Sequence, residues 1–289
     1  MERLMLLRLE TVGCLAEVAV NGVPLLRVGA AAGSAPPPNA PPPVPPAPHV
    51  ACVPVHEYTL AGANRLLLTV APPPLPAIGG AAAAATLPQP VVADGRAAVR
   101  LRLVLVRQGQ SPLDPQARVL AQHDWAPAAG ERYEAPFTQP IDVELPVNFP
   151  RWRWLDAPPV VLDASLARRA LSFAQNLALD LGRGQTEAFM AAARLRFEEL
   201  GVAYQRAPAE GAARFREHIE RLYADKALHV VPPQADNWIL RPVADGRLLE
   251  CLGADGQPAL RSIPPAADQP TALWPLRLAV VEGQFYVLR

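Results

Sequence analysis

Arg151-Trp152-Arg153-Trp154 is the densest run of binding-type side chains in this 289-residue chain. Indoles stack on sugar rings and anchor partner proteins, and tryptophan with arginine is the pair enriched at interface hot spots. In extended backbone, alternation sends Trp152 and Trp154 to one side and Arg151 and Arg153 to the other. A second reading follows from Pro150 before the run and Pro158-Pro159 after it. There the run is a domain junction, and both indoles fill the interface between two domains. Arg151, Trp152, Arg153 and Trp154 are the expected binding residues.

Catalytic patterns fail one by one. His56-Glu57 begins like a zincin helix, but Leu60 stands where the second histidine must be. His49, His56, His123, His218 and His229 never pair at metal-ligand spacing, and His56 is expected at a strand edge. No serine sits in a Gly-x-Ser-x-Gly elbow. Gly182-Arg183-Gly184 lacks the rest of a dinucleotide fingerprint, follows a helical pattern and reads as its stop, and no phosphate loop appears. Glycoside cleavage needs two carboxylates about 5–10 Å apart across a cleft. Asp156, Asp163, Asp180, Glu198 and Glu199 cluster in sequence, but they read as caps and solvated faces. No catalytic residue, metal ligand or cofactor is expected. The carboxy-terminal half has one candidate pocket, with Asp180 and Tyr204 as its polar groups.

The elements that must position these groups follow two periods. Residues 1–150 read as seven or eight short strands. Leu4, Leu6 and Leu9 start the first, and Leu15 to Val20 form the second. Asn21-Gly22 and Asp94-Gly95 are tight-turn dipeptides. Leu101, Leu103 and Leu105 alternate with Arg100 and Arg102, the signature of a half-buried strand. Two proline- or alanine-rich stretches, 30–48 and 71–90, are expected loop insertions, because proline lacks the amide donor a sheet needs. Beyond Pro150 the period becomes helical. Asp163 caps a helix with Leu166, Ala170, Phe173 and Leu177 inward. Thr186 caps a second, striped by Phe189, Ala193, Phe197, Leu200 and Tyr204. A third buries Ala212, Phe215, Ile219 and Leu222, with a Glu217–Arg221 pair outside. Strands return at 228–231, 237–243, 247–252, 274–281 and 284–289.

The expected fold class is α+β in two domains: an antiparallel β-sandwich over 1–150, then three helices over about 163–224 and an antiparallel sheet over about 228–289. Cys14-to-Val28 with its Val-Asn-Gly turn, followed by VPVHEYTLAGANRLLLTVAPP with its Gly-x-Asn turn, resembles the jelly-roll modules of the galactose-binding-like group. That resemblance implies a carbohydrate as one partner class. The helices-then-meander order, closing on VEGQFYVLR, resembles the α+β roll of the nuclear-transport-factor-like and SnoaL-like proteins. It implies a concave pocket but carries over no catalytic residue.

Composition sets the remaining bounds. Lysine plus arginine equals aspartate plus glutamate, at 27 each, so bulk charge draws the chain to neither nucleic acid nor an anionic membrane. Lys226 is the one lysine, a bias typical of GC-rich bacterial genomes. Cys14, Cys52 and Cys251 are odd in number and without ligand spacing, and Cys14 and Cys52 are expected as buried thiols. No stretch approaches the roughly 18 apolar residues of a membrane span, and the expected location is cytoplasmic. The expected function is a non-enzymatic binding protein with a macromolecular partner. The alternatives are an enzyme with its pocket in the carboxy-terminal roll, and a carbohydrate-binding module.

Overall fold

The computed structural model describes residues 3–29, 48–72, 88–107, 109–263 and 271–289. The chain is of mixed α and β structure, with antiparallel pairing between its described strands. It forms two compact units, Met1–Pro150 and Arg151–Arg289. Most of the two expected loop insertions lies outside the described residues. At their edges, Ala71 ends a strand and Gln89-Pro90 open another.

The first unit contains β1 (Arg3–Val12), β2 (Leu15–Val20), β3 (Val23–Gly29), β4 (His49–Pro54), β5 (Gly62–Ala71), β6 (Gln89–Val92), β7 (Ala98–Arg107), β8 (Arg118–Trp125), β9 (Arg132–Ala135) and β10 (Phe137–Leu145). Two four-stranded sheets run in the orders β4-β1-β7-β8 and β10-β5-β2-β3, and β6 pairs with β9. Period two decides what each sheet buries. In the first, Leu7 opposes Leu103 and Leu9 opposes Leu101, and all four are buried. In the second, Val18 opposes Leu68, again fully buried. The β1 face differs from expectation. Met5, Leu7 and Leu9 share the main buried face, while Leu6 packs on the opposite side with Val104, Val106 and Ala117. That second small cluster explains the unbroken apolar run at the start of β1. Asn21 and Gly22 form the β2–β3 turn with φ of 50° and 80°. Two successive positive φ values match the turn that right-twisted strands require.

In the second unit α1 (Ala164–Gly182) starts at Asp163, whose Oδ1 accepts Leu166 N at 2.7 Å. The stripe expected as one second helix is instead α2 (Glu187–Ala192) and α3 (Arg194–Ala203), broken at Ala193. Thr186 makes no side-chain cap; its own N donates to Glu187 Oε2. In α4 (Pro208–Ala224) proline sits in the first turn, where a missing N–H costs nothing. Arg214 pairs with Glu210, and Arg221 turns to His218 Nδ1 at 3.3 Å in place of the expected Glu217. Lys226 follows α4, exposed and at φ 55° in the left-handed region.

A meander closes this unit. β11 (Trp238–Val243), β12 (Leu248–Gly253), β15 (Leu276–Val281) and β16 (Gln284–Val287) form one sheet in that order, and the short β13 (Arg261–Ser262) pairs with β14 (Ala272–Leu273). The strand expected at 228–231 reduces to one bridge, Val230 to Ser262. The core joins helices to sheet through Ala170, Leu177 and Leu181 of α1, Phe189, Ile219, and Leu249, Leu276 and Leu278 of the strands. Each fully buried leucine of this kind contributes about 1.5–3 kcal/mol. No helix among the described residues is long and apolar enough to cross a membrane.

Candidate binding recess

The Arg151–Trp154 run is not an exposed strand. Arg153–Leu155 forms a single 3-10 turn, and Trp152 and Trp154 are 0% and 1% exposed. The alternation of faces survives, because Arg151 and Arg153 remain exposed. Burial removes both indoles as a docking surface. The Arg289 guanidinium lies 5.6 Å from the Trp152 ring. Glu199, itself buried, accepts Arg153 N on Oε1 and Arg289 Nη1 on Oε2, each at 2.6 Å. Arg151 reaches Asp156 at 2.7 Å, and Arg153 reaches Glu198 at 3.2 Å. The run therefore works as a packing and charge-pairing element.

Aromatic rings pack between the helices of the second unit. Phe189 stacks on Phe215 with centroids 4.5 Å apart, and Phe197 lies 6.1 Å from Phe215. Asp180, half-buried, stands in the last turn of α1, and its backbone oxygen accepts Arg183 N and Gln185 N. Tyr204, also half-buried, ends α3. The two stand at the ends of different helices. The second buried acid of this unit, Glu250, is held between Arg241 at 2.6 Å and Arg277 at 2.9 Å.

His56 lies in a buried 3-10 turn instead of at a strand edge, and its Nε2 accepts Met5 N at 2.7 Å. Its ring faces Phe149 at 5.3 Å. Cys14 and Cys251 are buried, and burial pushes the Cys14 thiol up to about 11 and Cys251 further. Cys52, expected buried, is exposed on edge strand β4 opposite Arg8. No three His, Cys, Asp or Glu among the described residues converge as metal ligands do.

An open recess of about 210 Å³ lies on the first unit, lined by Glu10, Pro48, Ala98, Arg100, Asp124 and Trp125 among others. Register builds it: Glu10 opposes Arg100, and Arg100 opposes Asp124, so the three charges form a row across β1, β7 and β8. Arg100 Nε donates to Asp124 Oδ1 at 2.7 Å, and Gln122 Nε2 donates to Oδ2 at 2.5 Å. Arg8 holds Glu10 at 2.5 Å. Partial burial raises the Asp124 carboxyl, but the hydrogen bonds from Arg100 and Gln122 outweigh it and hold the group below its ordinary value. At the rim Trp125 stacks on Phe137 at 6.0 Å and meets Tyr133 edge-on at 5.3 Å.

Sequence reasoning misses this recess. The signal was present as the polar positions alternating with the β7 leucines, but only the register shows which partners they meet. Comparison with protein-family models, curated proteins and solved structures finds no match for the chain.

Proposed function

We propose that this chain is a non-catalytic binding protein: an amino-terminal β-sandwich of jelly-roll type followed by an α+β roll, with the sandwich presenting the Trp125 recess to a macromolecular partner. One observation carries the reading. Asp124, the acid best placed in an open recess, has both oxygens occupied and is held ionised by Arg100 and Gln122. A general acid needs a proton to give near neutral pH. An ionised, oriented carboxylate beside a guanidinium and an indole suits recognition instead. The stacked rings of Phe189 and Phe215 count against an enzyme pocket between the helices.

The aromatic set Tyr133, Trp125 and Phe137 beside planar charged groups favours a second reading, a carbohydrate partner. One experiment addresses both. Immobilised wild type, Trp125→Ala and Arg100→Gln are offered a photocrosslinked proteome and a glycan array. The reading expects a partner held by wild type and lost by both variants, with melting temperatures preserved. Signal confined to the array assigns a carbohydrate. Equal retention by all three proteins overturns the reading.

A further inference from the structure

We infer that Arg3, Arg107 and Arg118 form a binding site for a tetrahedral oxyanion, a phosphate or sulfate group. Register puts them together. Arg3 opposes Arg107 across β1 and β7, and Arg118 opposes Leu105 across β7 and β8. Arg107 and Leu105 are two apart on one strand, so all four side chains leave the same face of the sheet. That face is the apolar one carrying Met5, Leu7, Leu101 and Leu103. The three arginines stand where it opens.

They line a recess of about 370 Å³ with Leu105, Gln110 and Gln116. The volume lies inside the range of about 300–1,000 Å³ that small-molecule sites occupy. Among the described residues the lining contains three cations and no carboxylate. Several arginines elsewhere are tied to acids, among them Arg65 to Asp142, Arg100 to Asp124, Arg261 to Asp255 and Arg289 to Glu199. Arg3, Arg107 and Arg118 pair with no carboxylate among the described residues.

The neighbouring acid is already engaged. Asp114 takes Gln110 Nε2 on Oδ2 at 3.1 Å and Gln116 N on Oδ1 at 2.8 Å. Gln110 Oε1 accepts Arg107 N at 3.0 Å and so holds the β7–β8 connection beside the arginines. The Gln116 side-chain amide makes no hydrogen bond to the described residues.

Like charges directly opposed on neighbouring strands disfavour folding. An anion between Arg3 and Arg107 turns that repulsion into attraction. Guanidinium forks match the paired oxygens of phosphate and sulfate, and three of them satisfy a tetrahedral group from three sides. The site is separate from the Trp125 recess, which lies toward the other end of the same strands, seven residues from Arg107 to Arg100 and so about 23 Å away at the rise of a strand.

The test is calorimetric titration of the full chain with inorganic phosphate. Saturable binding is expected, with a Kd of about 1 mM or tighter, weakening as chloride is added. Arg107→Gln and Arg118→Gln should each weaken it about tenfold or more. Arg65→Gln and Trp125→Ala should leave it unchanged, which separates failure here from failure of the partner reading.

No heat at about 10 mM phosphate, or equal affinity in both arginine variants, overturns the site. Should those variants fail to fold, phosphate titration of the wild type by arginine Nε–H resonances decides. Shifts confined to Arg3, Arg107 and Arg118 support the site, and shifts spread over all arginines refute it. Parallel titrations with sulfate and a phosphoserine peptide distinguish a free anion from one carried on a partner. Either assignment presupposes the anion chemistry, and binding of an unphosphorylated control peptide with equal affinity contradicts it.

Discussion

Asn21 Nδ2 donates to Asn64 Oδ1 across 2.9 Å, joining the turn after β2 to the start of β5. Both amides are in full use. Asn21 also donates to Tyr58 O at 2.8 Å and accepts Arg65 N at 2.9 Å. Asn64 binds Leu60 through both its amide ends and donates to Gly62 O. Asn64 is buried, so truncation leaves backbone groups unsatisfied. Asn64→Ala should cost about 2–3 kcal/mol in urea unfolding. Asn64→Asp should cost at least as much, because it replaces two donated hydrogen bonds with a buried charge. A loss within about 0.5 kcal/mol would show that water replaces the network.

Glu199 and Arg289 should behave as a unit. Glu199→Ala strands a buried guanidinium and should lower stability by about 3–5 kcal/mol. The paired change Glu199→Leu with Arg289→Met should recover much of that loss. A double-mutant cycle checks it, and additive losses would mean the pair contributes no coupling.

Thiol chemistry should be confined to one site. Native protein should react with a disulfide reagent at Cys52 only, with Cys14 and Cys251 appearing after denaturation. The Cys14 thiol, pushed up to about 11, supplies almost no thiolate at neutral pH. Mass mapping of the labelled peptides reads the outcome directly.

Acid should weaken the first unit through Asp124. Its folded carboxyl titrates below the unfolded value of about 3.9, so the folded state binds fewer protons in that interval. The contribution is complete above the unfolded value and is lost as pH falls through the depressed one. Partial exposure screens it to below about 1 kcal/mol. Asp124→Asn should therefore flatten the acid limb of the stability profile slightly, with little change in its slope near neutrality.

Gly184→Ala should cost about 2 kcal/mol. Its φ of 76° disfavours any Cβ, and an added one would sit 2.9 Å from Tyr223 Cγ. The exposed Tyr223 ring can yield. Adding Tyr223→Ala should then return only the steric part, and thermal melts of the single and double variants separate the two terms.

The sequence was most readable where one local rule acted alone. The Asp163 cap, the Gly184 stop, the Asn21-Gly22 turn and the final hairpin all follow from neighbours within four residues. Failures came where distant partners decide. Nothing in Ala193 announces a helix break, and the packing of Phe189 and Phe197 onto Phe215 is non-local. The alternation in the Arg151–Trp154 run identified the two faces, but not which face meets solvent. That depended on Glu199, 46 residues on from Arg153, and on Arg289, a further 90 residues along the chain. The row Glu10, Arg100, Asp124 and the trio Arg3, Arg107, Arg118 needed a strand register, which periodicity leaves open.

Lys226 stands exposed just past the end of α4, the one ε-amine in the whole sequence. Amine-directed coupling through a side chain thus has a single address on the second unit. A surface or dye attached there meets every molecule in the same orientation and leaves both recesses of the first unit chemically untouched.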